Sequence, residues 1–528
     1  MSQLPDRLRT LADLPRALAS ERGAQAALTF EGRSTTGAEL DRRSSRVASA
    51  LLAAGLAPGA RVAYLARDSA SIFELLFGSA KAGCVALGIN WRLAAPEVRF
   101  ILEDGEAEWL VVGREFAALA AELCPALERL RGVVVVEGAD AERGWAGFEE
   151  WRDGAEAVDP RRDTDAEQVV VQMYTSGTTG HPKGVMLPHR SFYAVIRSMR
   201  AVDDPWIGWS AEDVGLCGFP SFHIGGLWWA ITTLSHGARL VVLDSFDARA
   251  ALAALREERV TQTCMVAAML SMILAEPACE QADFSALRTI VYGGSPIALP
   301  LLKQSLEVFG CDFAQIYGLT ETGNTAVCLR PRDHDDPDSE LLTAAGAPYP
   351  GVRVKVIDAE GRELPPRAVG EVCLHSPANM IGYWKREEAT ADTLREGWVH
   401  TGDAGYLDER GYVYVCDRIK DMIIYAGENL YPAEIESAVC EHPAVLECAV
   451  IGVPDERWGE VPKAIVALRE GQQATVAQIL RHTKERIAAF KVPKSLDFVD
   501  ALPRTPSGKV KKAELRKPYW QGRARGVN

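Results

Sequence analysis

The eleven cysteines of this 528-residue chain include no Cys-x-x-Cys pair. No cluster of histidines accompanies them, so the spacing argues against a zinc site and leaves the cysteines as reduced, mostly buried thiols. Internal repeats and low-complexity segments are absent as well. The first residues, Met-Ser-Gln-Leu-Pro-Asp-Arg, lack the apolar core of a secretory signal, which points to the cytoplasm. Residues 214–238 lack any Asp, Glu, Lys or Arg and are long enough to span a bilayer. They also hold Pro220, five glycines and two histidines, so a buried strand, loop and helix is expected there and no integral membrane segment. An excess of positive charge is missing too: the net charge is −14, which argues against general nucleic-acid binding and anionic membranes.

What is present is an ordinary globular composition, 48% apolar and 25% charged, in a chain too long for one hydrophobic core. Two or more domains are expected. Over the first 170 residues helix-like stretches alternate with strand-like ones, as in Leu40 to Ala53, Arg61 to Leu65 and Ile72 to Ala82. That alternation predicts an α/β fold with sheets covered by helices. Between 351 and 416 the period changes to two, at Val352/Val354/Val356 and Tyr412/Tyr414, which predicts a smaller β subdomain. Beyond Lys420, Ile435, Ala438 and Val439 mark one amphipathic helix and Val476, Ile479, Leu480 and Ile487 another, with strands between them. A compact α+β unit of about a hundred residues is a common size for an independent domain.

Residues 174–185, Tyr-Thr-Ser-Gly-Thr-Thr-Gly-His-Pro-Lys-Gly-Val, carry the densest chemistry. Gly177, Gly180 and Gly184 allow close backbone approach, Thr175, Ser176, Thr178 and Thr179 donate hydrogen bonds, and Lys183 adds a mobile cation. Together they make a cradle for polyphosphate. The lysine of a Walker A loop follows glycine and precedes Ser or Thr, whereas Lys183 follows Pro182 and precedes Gly184, so an ordinary P-loop is disfavoured. The apolar or aromatic run Val170, Val171, Met173, Tyr174 enters the loop like a strand end.

Six later segments complete a pattern: Gly293-Gly294-Ser295-Pro296, Tyr317-Gly318-Leu319-Thr320-Glu321, Thr401-Gly402-Asp403, Asp417-Arg418-Ile419-Lys420-Asp421, Gly427-Glu428-Asn429 and Pro506-Ser507-Gly508-Lys509. In these motifs and their order the chain resembles the acyl-adenylate-forming superfamily of acyl-CoA synthetases, peptide-synthetase adenylation domains and firefly luciferase. The resemblance implies a large N-terminal domain, residues 1–419, of β-sheets covered by helices with a β subdomain. It also implies a small mobile α+β C-terminal domain, residues 420–528, that rotates about Lys420 between two half-reactions. The implied reaction joins a carboxylic acid to ATP, releasing pyrophosphate, and then passes the acyl group to coenzyme A, releasing AMP. Such chemistry at phosphorus rests on positioning and charge neutralisation.

Carried over motif by motif, the resemblance puts Tyr317 against adenine, Thr320 at the α-phosphate and Glu321 on magnesium. Asp403, with Arg418 beside it, falls at the ribose. Gly293, Gly294 and Ser295 fall at the adenine and acyl carboxylate, and Gly427 on the pantetheine tunnel. Lys509 is implied to stabilise charge in the adenylation transition state. His223, in Phe-Pro-Ser-Phe-His-Ile-Gly-Gly, takes the place of an aromatic gate between acyl pocket and thiol tunnel; whether it also deprotonates the thiol stays open. Residues 491–528 carry ten Lys or Arg against three Asp or Glu, an excess that suits anionic ATP or coenzyme A.

The acyl pocket of relatives is walled by segments that here read Ile224-Gly225-Gly226-Leu227-Trp228-Trp229, Gly294-Ser295 and Thr322-Gly323-Asn324. They offer no fixed charge, which favours an apolar acid of medium or long chain over an amino acid or dicarboxylate. Trp228 and Trp229 are candidates to close its far end. An aryl or steroid-side-chain acid is the alternative. An acyl-AMP ligase or a luciferase-like oxygenase would share the nucleotide motifs, and a module loading a fused carrier would need sequence beyond Lys509. The expected partners are the acid, ATP and coenzyme A, with a homodimer left open.

Overall fold

The structure, a computed structural model, describes residues 4–175, 182–200, 206–295, 297–425, 428–455, 457–505 and 509–521. Two large mixed sheets dominate it. One has nine strands, with Thr289–Gly293 and Asp312–Tyr317 side by side and parallel. The other has eight, with Val169–Thr175 between Val85–Gly88 and Lys183–Pro188. A five-stranded sheet holds Gly370–His375, Trp398–Leu407 and Val413–Arg418, and a separate one is built on the long hairpin Val445–Asp455 and Gly459–Leu468.

Local sequence explains these elements. Gly132–Val136 is four valines after a glycine, and β-branched side chains suit a pleated surface. The helix Gly37–Ala53 begins at Thr36, whose hydroxyl accepts from the Glu39 amide while the Glu39 carboxylate accepts from Thr36 N, a reciprocal capping box. The uncharged stretch resolves into the strand Val214–Cys217, a loop and the twelve-residue buried helix Ile224–Ser235. Among the described residues no helix is long and apolar enough to cross a membrane. All eleven cysteines are free.

One element differs from the sequence reading. The helix placed over Val476 to Ile487 ends at Lys484, and Ile487 lies beyond it while still packing on the core of Ile435, Val450 and Ile479. An apolar residue can keep the helical period and reach the core from a turn, because the period reports only which residues are buried.

The largest core joins the three N-terminal sheets, through Leu28 and Val291, Val171 and Val185, and Val356 and Val372. The last sheet has its own cores, one around Ile423, Ile435 and Val450 and one around Ile451, Val461 and Leu502. A large domain and a small one follow from that separation. The strands Val169–Thr175, Val214–Cys217, Thr289–Gly293 and Asp312–Tyr317 all deliver motif residues at their carboxyl ends, where open α/β sheets bind ligands.

Candidate active site

Gly293 ends its strand where a β-carbon would stand 2.3 Å from the Ile316 carbonyl oxygen, so only glycine lets the two strand ends run this close. Gly294 follows at φ +77°, in the left-handed region, and Ser295 beside it is half-buried. The neighbouring strand ends in Tyr317, and the turn after it carries Thr320 and Glu321 in a short 3-10 helix stopped by Gly323 at φ +68°.

Asp403 is buried, and both carboxylate oxygens are engaged: Tyr317 donates its hydroxyl to Oδ2 at 2.7 Å, and Arg418 Nε lies 2.7 Å from Oδ1. The strands explain the pairing, since Asp403 and Arg418 are register partners on Trp398–Leu407 and Val413–Arg418. Burial raises the Asp403 carboxyl against the opposing Arg418 charge. The guanidinium is itself raised above its ordinary value, its own burial being outweighed by Asp403 together with Tyr317, Glu321 and Asp421; the ion pair accounts for the shift of the arginine, whereas at the carboxyl burial prevails over it. Behind Asp403, Glu371 accepts from Gly402 N at 3.0 Å and lies 3.0 Å from His400 Nδ1, with the Cys373 thiol 3.7 Å from the same nitrogen. These three potential ligands lie within 4.8 Å of one another, and Glu371, held by His400, ties the cluster to the turn before Asp403.

Glu321 is 9% exposed and accepts from the Tyr383 hydroxyl at 2.7 Å. Tyr383 belongs to the two-residue strand Gly382–Tyr383, paired with Lys183–Pro188, and Lys183 Nζ stands 5.0 Å from its ring centroid. One tyrosine thus connects Lys183 to Glu321. Thr175, register partner of Lys183, closes the strand before the loop. Tyr174, one residue earlier, donates to Asp104, which also accepts from Arg386 at 2.6 Å. Ser176, Gly177, Thr178, Thr179, Gly180 and Gly427 lie outside the described residues.

His223 caps the helix Ile224–Ser235, its Nδ1 accepting from Gly225 N at 3.2 Å, with Phe219 packed 5.4 Å away. Burial, and secondarily the Lys509 charge, lowers its pKa to about 3. The ring is therefore neutral near pH 7, and the cap assigns its proton to Nε2. Its loop is anchored by Asp68, which accepts from Ser221 N at 2.8 Å and from the Ser221 hydroxyl. Trp228 and Trp229 are buried in the main core, where Trp229 Nε1 donates to the Leu216 carbonyl and its ring packs on Trp209.

Lys509 comes from the small domain, and its charge acts on His223, Asp403, Arg418 and Glu321. Its side chain stays open to water, yet protein crowds it. That burial, then Arg418, presses its ammonium below the usual lysine range while Asp403 and Glu321 pull the other way. A cleft wall can surround a cation that solvent still reaches. Arg418, Asp403, Glu321, His223 and Lys509 thus share one electrostatic neighbourhood.

Tyr383 and Asp68 were not singled out from sequence. Tyr383 sits in a two-residue strand with no periodicity to read, and Asp68 meets Ser221 across 153 residues.

A cleft in which a buried carboxylate pairs with a half-buried arginine, with a lysine brought in by a second domain, is the arrangement of a class of nucleotide-dependent ligases. The chain belongs to the AMP-binding enzyme family: the profile of that family matches residues 16–384, and that of its C-terminal domain matches residues 434–509. It is 49% identical to a fatty acid–[acyl-carrier-protein] ligase, ScoC, of Streptomyces coeruleorubidus over 99% of this chain and 98% of that protein. It is 36% identical to the long-chain-fatty-acid–CoA ligase FadD13 of Mycobacterium tuberculosis, over 92% of this chain and 93% of that one. The crystal structure of the anthranilate CoA ligase AuaEII in complex with anthranoyl-AMP superposes with a TM-score of 0.89 at 29% identity, covering 98% and 99% of the two chains. The protein is an AMP-forming ligase of carboxylic acids.

Proposed function

We propose that the enzyme adenylates an apolar carboxylic acid, a medium- or long-chain fatty acid, with ATP and magnesium and then transfers the acyl group to coenzyme A. The observation that carries this reading is the gathering of Lys509, Asp403, Arg418 and Glu321 around one cleft. In adenylation a carboxylate oxygen attacks the α-phosphorus and the bond to pyrophosphate breaks. Lys509 stabilises the negative charge that builds there, while Lys183, Thr175, Thr320 and the loop 176–181 hold the phosphates. Asp403 accepts from the ribose hydroxyls and Tyr317 lies along the adenine. Magnesium fits the Glu321 carboxylate, a hard oxygen donor, and would neutralise polyphosphate charge when bound.

His223 acts in this scheme as a gate. A ring with its pKa near 3 and Nδ1 already accepting is a poor acceptor for the proton of a thiol whose own pKa is about 8.5. We place the domain boundary between residues 419 and 420, and the protein in the cytoplasm.

A second acceptor is favoured by one finding: the relative at 49% identity is a ligase onto acyl carrier protein. Phosphopantetheine presents the same thiol on a separate carrier as on coenzyme A, so the requirement for a fused carrier weighed only against a fused one. The likeness to an anthranilate ligase keeps an aryl acid as the alternative substrate. The deciding experiment is a carboxylic-acid panel with AMP and pyrophosphate detection, run with coenzyme A and with phosphopantetheinylated carrier protein. Acyl-CoA formed from a C8–C16 acid at the highest specificity constant supports the reading. Stoichiometric ADP, oxygen consumption, or thioester formed on the carrier alone overturns it.

A further inference from the structure

We propose that Asp417 is a positioning residue, a latch that holds the small domain where Lys509 enters the cleft; this rests on the adenylation reading above. Successive side chains on a strand point to opposite faces. At the end of Val413–Arg418, Arg418 turns to Asp403 while Asp417 turns to the small domain. There its Oδ2 accepts from Ala433 N at 2.9 Å, in the first turn of the helix Pro432–Cys440, and lies 3.4 Å from Lys512 Nζ.

Both contacts suit an anion. A helix start offers unsatisfied amides and the positive end of its dipole, and Lys512 supplies a full charge. The site is enclosed, with the Asp417 side chain 8% exposed and that of Lys512 15%. Lys512 is held from its other side by Glu436 at 2.9 Å, and Glu436 in turn accepts from Val450 N at 2.7 Å. Among the described residues, both partners of this carboxylate in the small domain are therefore themselves fixed.

The position in the chain gives the latch its consequence. Asp417 belongs to the five-stranded sheet of the large domain, one residue before the arginine that holds Asp403. Lys512 stands three residues after Lys509 and opens the short helix Lys512–Arg516, whose Arg516 pairs with Asp421 at 2.6 Å. The pair Asp421–Arg516 lies wholly beyond residue 419 and can travel with the small domain. The contacts of Asp417 cross between the domains and must open if that domain turns. Losing the latch destabilises the arrangement with Lys509 inserted, relative to any other.

The test is Asp417→Asn in the full-length enzyme, which keeps size and hydrogen-bonding capacity while removing the charge. Decanoate serves as the acid, and each half-reaction is followed in single turnover. Acyl-AMP formation should slow at least tenfold, while conversion of supplied decanoyl-AMP to decanoyl-CoA stays within twofold of the parent or rises. Asp417→Glu, which retains the charge, should recover most of the loss, and thermal midpoints report folding. Acyl-AMP formation within twofold of the parent, or equal losses in both steps at an unchanged midpoint, overturns the latch. Should Asp417→Asn not fold, parental adenylation by Lys512→Gln, which removes the cation from the other side, overturns it equally. A parent enzyme that makes no decanoyl-AMP counts instead against the proposed substrate, a separate outcome.

Discussion

The Tyr317 hydroxyl donates to Asp403 at 2.7 Å, so the two residues assigned to adenine and ribose are bonded to each other across 86 positions of sequence. The bond fixes the tyrosine ring at the mouth of its strand and supplies a donor to a buried carboxylate. Nucleotide binding has to share or replace it.

Tyr317→Phe keeps the ring and deletes that donor. A hydrogen bond to a charged group contributes about 1.5–3 kcal/mol, part of which Arg418 retains by holding the other oxygen. The thermal midpoint should fall by a few degrees and the KM for ATP should change less than tenfold. Asp403→Asn should be worse on both measures, because it removes the countercharge of the half-buried Arg418. Comparing the two variants by thermal unfolding and ATP-dependent initial rates checks the order.

Gly293→Ala tests the close passage of two strand ends. The added methyl would meet the Ile316 carbonyl oxygen at 2.3 Å, and backbone cannot yield as a side chain tip can. Overpacking of this kind costs typically 1–3 kcal/mol. Relief by separating the strands would shift Tyr317 and with it Asp403. Loss of stability together with weaker nucleotide binding, read by calorimetry, is expected; unchanged nucleotide affinity would detach this passage from the site.

Much of the site was legible because its motifs fall at strand ends, where glycine and hydroxyl residues interrupt apolar runs within a few positions. Tyr383 and Asp68 were not, nor were the contacts of Asp417, although it opens one of the motifs, for a shared reason. Each acquires its place from a partner far away: Glu321 at 62 residues, Ser221 at 153 and Lys512 at 95. Local pattern carries no trace of such pairings. The two tryptophans at 228 and 229 are pocket candidates by resemblance, and the structure buries both in the main core, with the indole of Trp229 bonded to Leu216 O. The order of strands within the two large sheets was equally beyond reach, since alternation of elements fixes the class of fold and not which strands are neighbours.

Stability should depend on pH through buried histidines. His223 is lowered by burial to about 3, and His189 and His236 to about 4, all below their unfolded value near 6.5. Between about pH 4 and 6.5 the unfolded chain binds these protons and the folded one does not. Stability from this source is complete above pH 6.5 and falls as the pH drops through that window. Asp68 opposes it, because burial raises its carboxyl to about 7 and the folded state then holds the extra proton. His334 acts in the same direction as the three histidines, while Asp403 and Glu436, whose carboxyls burial also raises, act with Asp68, so the net slope is the difference between the two sets. Denaturant unfolding at pH 5.5, 6.0 and 7.5 compares the parent with His236→Gln, whose stability should fall less toward pH 5.5; a profile parallel to that of the parent would contradict the burial of that ring.

Lys509 and Lys420 separate the two half-reactions. If Lys509 stabilises charge only while the α-phosphorus is attacked, Lys509→Ala should lose acyl-AMP formation by about two to three orders of magnitude, the range for removing a transition-state charge stabiliser. Conversion of supplied acyl-AMP to the thioester should persist, since no bond to phosphate then has to form. Lys420→Pro fixes φ at the proposed hinge, between Arg418 paired with Asp403 and Asp421 tied to Arg516. With Lys509 already among Asp403, Glu321 and Arg418, a stiffened hinge should spare adenylation and slow thioester formation. The variants should therefore fail in opposite steps, as single-turnover assays with ATP and acid, and then with acyl-AMP and thiol, will report. Equal losses in both steps for Lys509→Ala would make that lysine structural, and parental rates in both steps for Lys420→Pro would move the hinge elsewhere.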